Sequence, residues 1–288
     1  MAQSTSVGGH QTGFGENRRT DKWWLEPVIT VAVFTSFIIY ATWAAFQGNH
    51  YFTEAYLSPF YSPILFQPGS ESMAWAAGGS TLASIQHHTW LGAWPTWWPQ
   101  FLPQSPAFLI LAFPGAFRFT CYYYRKAYYR AFTGSPPACA VGGIKQKNYK
   151  GETRLLLFQN LHRYAMYFAV IFVFILSYDA FCAFFKGGIP FKGDFGVGVG
   201  SLVLVINAIL LGSYTFGCHS FRHLIGGRKD CFSCDFKPTT SHKAWSLSSL
   251  LNRKHMAFAW LSLFWVAFSD IYVRLVSMGV WTDLNTWN

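Results

Sequence analysis

Charge is what this sequence has least of. Only 12% of its 288 residues are Asp, Glu, Lys or Arg, about half the usual share in a soluble domain, about 25%. Aromatic residues make up 20%, and the mean hydropathy is positive. This excludes an ordinary soluble domain. No Lys or Arg falls between residues 48 and 104, and neither 27–47 nor 107–124 contains a histidine. There is no Walker sequence, no Ser-His-Asp signature and no internal repeat, so nucleotide hydrolysis, triad chemistry and a repeat-built transporter have nothing to stand on.

What the chain has instead is long apolar runs. Spanning a bilayer as a helix takes about 20 mostly apolar residues. Five segments qualify: 27–47, 107–124 (with Pro114 and Arg118), 164–185 (with Asp179), 196–218, and 256–278 (with Asp270 and Arg274). The first is too long for a signal-peptide core and lacks a cleavage site. The expected fold is an all-α integral membrane protein, five transmembrane helices packed as one bundle, with a long aromatic outer loop over 48–104. Residues 1–288 form a single domain. Residues 1–20 are polar and expected to be ordered only where a partner holds them. Trp94, Trp97 and Trp98 suit an interfacial belt.

The excess of 22 basic over 12 acidic residues is a topology signal. Three Lys/Arg precede the first span, nine lie in 118–163 and seven in 222–254. These stretches fall on one alternating set of span ends, which the positive-inside rule makes cytoplasmic. The N-terminus is then inside and the C-terminus outside. Nucleic acid is a poor partner for charge divided among three juxtamembrane stretches. A docked protein or anionic headgroups suit it better.

Cysteine and histidine sort to the same side. Cys121, His162, Cys218, His219, His223 and His255 lie at span ends of one expected depth. Cys139, in SPPACAV, could fold back onto them. In a reducing cytosol the cysteines are expected as thiols or metal ligands. Thiolate with imidazole suits zinc, an iron–sulfur centre or a haem axial position, and two Cys with two His is the Rieske-type pattern. Taken singly, each has a plain alternative: Cys fills small apolar gaps and His caps helix carbonyls. Cys231 and Cys234 form a lone CxxC with His242 nearby, a weak zinc signal. FGVGVGS (195–201) is expected to allow close helix packing.

Other polar residues in the spans invite a role. Arg118 could meet a quinone oxygen, a haem propionate or a carboxylate. Tyr122, Tyr123 and Tyr124 could floor a quinone pocket or form an interface belt. Asp179, Asp270 and Arg274 form an outer-leaflet polar group, with Arg274 at i+4 from Asp270.

TDKWW, LSPFYSP, CYYYRKAYYRAF, SPPACAV, GETR…NLHRY, CHSFRH and NRKHMAFAW together resemble the membrane-anchor, cytochrome b-like subunit of succinate dehydrogenase (succinate:quinone oxidoreductase) in its single-chain, five-helix actinobacterial form. The resemblance implies a plasma-membrane anchor in a bacterial cell, docking a flavoprotein and an iron–sulfur subunit. It implies that the chain passes electrons to a quinone, menaquinone above others, and it leaves room for a higher oligomer of the complex. Related five-helix anchors hold two haems through histidines on spans one, two, four and five. The first two spans here have none. The expectation is therefore a Rieske-type 2Fe–2S cluster, with two ligands from Cys121, Cys139 and Cys218 and two from His162, His219 and His223. Arg118, Tyr122, Tyr123, Tyr124 and His255 are expected at the quinone. A haem b anchor, or a metal-free anchor with a quinone cleft, are the alternatives.

Overall fold

The fold is taken from a computed structural model, which describes residues 13–53, 55–67, 75, 79–144, 151–227, 231, 234 and 240–287. Among the described residues, four helices are long and apolar enough to cross a membrane. They are α1 (Leu25–Gln47), α7 (Val199–Phe216), α10 (His255–Ser277) and the Asn160–Cys182 part of α6 (Gly151–Cys182). Short helices fill the rest: α2 (Gly79–His88), α3 (Pro106–Ile110), α4 (Ala112–Thr120), α5 (Tyr122–Ala131), α8 (His219–Gly226) and α9 (Thr240–Asn252). A two-residue antiparallel pair, β1 (Phe52–Thr53) with β2 (Tyr56–Leu57), aligns Phe52 with Leu57.

The expected span 107–124 is not one long helix. It divides into α3, α4 and α5. Proline has no N–H, and its ring collides with the carbonyl four residues back. For Pro114 that carbonyl belongs to Ile110, where α3 ends. The second break is at Cys121, which is extended (φ −64°, ψ 133°) between α4 and α5. The apolar piece Pro106–Thr120 falls short of the other four in length.

α7 packs between α6 and α10, α4 lies along α6, and α1 rests on α3 and α5. α1 is the most exposed of the long helices, with Ile29, Ile38, Ile39 and Phe46 all more than half accessible. Apolar exposure on this scale is what a helix facing lipid requires.

The outer loop is a packed cap. Tyr51, Phe52, Phe60, Tyr61, Ile64 and Ile85 are buried against Ala44, Ala45, Ala107 and Val266. The glycines of FGVGVGS do permit a close approach, but by the cap and not by a helix. A Cβ on Gly200 would collide with the ring of Tyr56. The N-terminal segment is also held from within the chain. Gly15 donates its N–H to the Gly142 carbonyl and Gly142 to the Glu16 carbonyl, at 2.8 and 2.9 Å. This corrects the expectation of disorder for residues 13–20. Residues 1–12 lie outside the described set.

Candidate functional site

The bundle has two polar centres, one toward the end that carries most Lys and Arg and one under the aromatic cap. At the basic end, two cysteines sit where helices break. Cys121 joins α4 to α5, and Cys218 joins α7 to α8, each with extended backbone. An extended residue between two helices leaves carbonyls without intrahelical partners. At Cys218 neighbouring α9 supplies donors: Ser248 Oγ to the Phe216 carbonyl and Asn252 Nδ2 to the Gly217 carbonyl, both 2.7 Å. Gly217 is required by space, because a Cβ there would lie 2.7 Å from the Ser213 oxygen and 3.1 Å from Leu251 backbone.

Two thiol–imidazole couples result. His162 Nε2 is 3.1 Å from Cys218 Sγ, and its Nδ1 is 2.8 Å from Thr120 Oγ1. His255 Nε2 is 3.9 Å from Cys121 Sγ. The imidazoles are clamped by rings. Phe117 stacks on His162 at 4.8 Å, Tyr214 stacks on His255 at 4.9 Å, and Tyr123 meets His255 at 5.3 Å. All four residues are buried, and both cysteines belong to one apolar cluster with Phe117, Met166, Tyr214 and Leu263. Among the described residues the buried His255 Nδ1 has no hydrogen-bond partner.

Arg118 binds the same floor. Its guanidinium donates to the Tyr124 hydroxyl (2.7 Å), the Ala259 carbonyl (3.1 Å) and Ser262 Oγ (3.0 Å), and it lies 5.0 Å from the Tyr214 ring centre. Tyr124 also donates to the Ala259 carbonyl. Arg118 and Tyr214 form one end of a cavity of about 400 Å³, otherwise walled by apolar side chains such as Phe37, Leu111, Phe172 and Val266. Tyr122 is exposed and carries Arg125 over its ring, so it does not face this cavity.

Three expected ligands lie elsewhere. Cys139 is exposed, and its loop is drawn to the N-terminal segment. Arg19 donates to its carbonyl at 2.8 Å, and Arg130 approaches its sulfur at 3.8 Å. His219 and His223 are exposed on α8, because the break at Cys218 turns that helix off the line of α7. His219 Nδ1 lies 3.3 Å from Arg222. Partial burial, then Arg222 and His223, hold its pKa below the ordinary value. The expectation of free thiols is corrected at Cys231 and Cys234, whose Cα atoms lie 5.7 Å apart and whose sulfurs are bonded to each other. Among the described residues no group of three or more His, Cys, Asp or Glu side chains is close enough to share one metal ion.

The second centre is where Asp179, Asp270 and Arg274 were expected. Asp270 accepts from Tyr40 (2.5 Å) and from Ser58, and pairs with Arg274 at 3.5 Å. Arg274 also donates to the Asn49 carbonyl and the Gln47 side chain and sits over the Trp43 ring. Asp179 accepts from Ser62 and lies 3.6 Å from His88 Nδ1. The two aspartates therefore answer different loop serines. Thr120, Tyr214, Ser58, Ser62 and His88 were not singled out in the sequence. Thr120 had a signal, since it adjoins Cys121, and the others had none.

Over residues 25–279 the chain matches the family described as actinobacterial succinate dehydrogenase subunit SdhC. It is similar to a chain of the Mycobacterium smegmatis Sdh1 complex in the apo form. The two are 39% identical with a TM-score of 0.75, over 96% of this chain and 99% of that one. A comparison with curated proteins finds no match. The match covers the membrane helices, the cap and both polar centres, so the chain belongs to the actinobacterial SdhC family, the multi-pass membrane anchor of succinate dehydrogenase.

Proposed function

We propose that the chain is an electron-relay anchor: it docks flavoprotein and iron–sulfur subunits at its basic, cytoplasmic end and delivers electrons from succinate to menaquinone. The basic loops at 118–163 and 222–254 support the docking. The orientation follows from the same charge bias, and the plasma membrane from the resemblance to a bacterial anchor. α3 and α4 together make the fifth crossing, which puts the termini on opposite faces.

The observation that supports the relay is the pair of buried thiol–imidazole couples, His162 with Cys218 and His255 with Cys121, whose two cysteines share one apolar cluster. By residue type these four match the ligand set of a Rieske-type 2Fe–2S group, two Cys and two His, and they would hold it if the two couples were drawn together. His255 completes the set in place of Cys139, His219 and His223. Such a group, when bound, carries one electron at a time at a potential above that of four-Cys clusters. Thr120 holds the His162 ring by its far nitrogen, the orienting contact that metal-ligating histidines usually have. Phe117 and Tyr214 fix the ring planes and exclude water. Arg118, held by Tyr124, Ala259 and Ser262, lines the 400 Å³ cavity with a positive charge. There it would orient a quinone carbonyl, while the apolar walls take the ring and tail.

The test is a purified complex, examined reduced by EPR and optical spectroscopy with iron and acid-labile sulfide analysis. Cys121→Ser, Cys218→Ser, His162→Ala and His255→Ala are expected to lose the anchor's signal with the subunits still assembled. Cys139→Ser, His219→Ala and His223→Ala are expected to keep it. A haem Soret band, or an unchanged signal in Cys218→Ser, overturns the reading.

A further inference from the structure

A second groove lies beside the His255–Cys121 couple, and Tyr123, which packs on His255 at 5.3 Å, is one of its walls. Its volume is about 460 Å³. Its walls are the first turns of α1 (Leu25 to Val33) and of α10 (Met256 to Phe264), and α5 closes it with Lys126, Ala127 and Arg130. The apolar walls are open to their surroundings: Leu25, Ile29, Met256 and Phe264 are 43–53% accessible. From Leu25 to Val33, and from Met256 to Phe264, each wall rises about 12 Å at 1.5 Å per residue. That is close to one leaflet's apolar depth, about 15 Å.

The charges in the groove are arranged in one way. Lys126 and Arg130 are i and i+4 on α5, so they share a face. Among the described residues neither has a carboxylate partner, and Arg130 approaches the Cys139 sulfur at 3.8 Å. Glu26 also lines the groove. It belongs to the first turn of α1, where it complements the helix N-terminus, and the α5 cations outnumber it. Two cations heading an apolar slot of leaflet depth match a phosphate head on an acyl chain. A soluble anion would use the cations and leave the slot wet. A soluble protein's acidic surface would likewise leave the apolar walls uncovered.

We infer that the groove between α1, α5 and α10 is a binding site for one anionic phospholipid, its phosphate on Lys126 and Arg130 and an acyl chain along Ile29, Val33 and Phe264. The site includes none of the proposed ligands Cys121, His162, Cys218 and His255, although its Tyr123 touches His255, so the lipid readout below is kept separate from the anchor's EPR signal.

The experiment uses the whole complex, exchanged in detergent with defined lipid and analysed by native mass spectrometry. With phosphatidylglycerol, one lipid per anchor chain is expected to survive delipidation; with phosphatidylcholine, none. Lys126→Gln with Arg130→Gln is expected to weaken retention roughly thirtyfold, from about 1 kcal/mol per cation at an anionic surface. Lys126→Arg with Arg130→Lys should keep it. Ile29→Asp with intact cations should lose it too. Retention of phosphatidylcholine equal to phosphatidylglycerol overturns the inference, as does displacement of the lipid by inorganic phosphate. So does a double Gln variant that keeps the lipid but sheds its soluble subunits, which would make the cations a protein-docking surface.

Discussion

Asp270 is a buried carboxylate with three partners of different strength: the Tyr40 and Ser58 hydroxyls and the Arg274 guanidinium. Removing one member of a buried ion pair leaves the other uncompensated, at a cost of about 3–5 kcal/mol. Asp270→Asn is therefore expected to lower the thermal midpoint of the solubilised protein by several degrees, and an unchanged midpoint would contradict the pairing. His50, just beyond α1, has a pKa held below the ordinary value by burial and then by Arg274. A depressed histidine contributes stability above its unfolded pKa of about 6.5 and loses it as pH falls through that value. The thermal midpoint should decline from pH 7 to 5, and His50→Gln should make that decline shallower. An equal slope in both proteins would remove His50 as a contributor.

The helix elements were readable because a membrane imposes a simple rule. Every backbone group must bond internally, so apolar runs of sufficient length become helices. α1, α6, α7 and α10 follow it. Only the segment containing Pro114 breaks it, and proline was visible there from the start. The cap is different. Nothing in the pattern of residues 48–104 told that Ser58 and Ser62 would reach Asp270 and Asp179 across more than a hundred residues. Each serine satisfies a buried carboxylate, and an unsatisfied buried acceptor costs about 1–3 kcal/mol. Ser58→Ala with Ser62→Ala should therefore loosen the cap, seen as faster hydrogen exchange over residues 51–64. Exchange as slow as in the unsubstituted protein would show that the aromatic packing alone holds it.

At the level of the whole molecule, the charge bias sets which end faces the cytoplasm and α3–α4 sets whether the termini share a face. Impermeant thiol labelling tests both. Cys139, the exposed thiol, should react only in inside-out vesicles, and a cysteine placed at Thr96 only in right-side-out ones. A cysteine at Asn285 should label with Thr96. If it labels with Cys139 instead, α3–α4 does not cross.

The sequence by itself determined the membrane class, the long helices and the end where the basic residues gather. These follow from composition and from one-dimensional spacing, which helical geometry preserves. It did not determine which Cys and His meet. That depends on helix rotation and on where a helix breaks, and both are decided by packing. The break at Cys218, capped by Ser248 and Asn252 of α9, turns His219 and His223 away. The packing of α6 and α10 brings His162 to Cys218 and His255 to Cys121. A residue one position along a helix points about 100° away, so only the tertiary structure could choose between neighbours as close as Cys218 and His219.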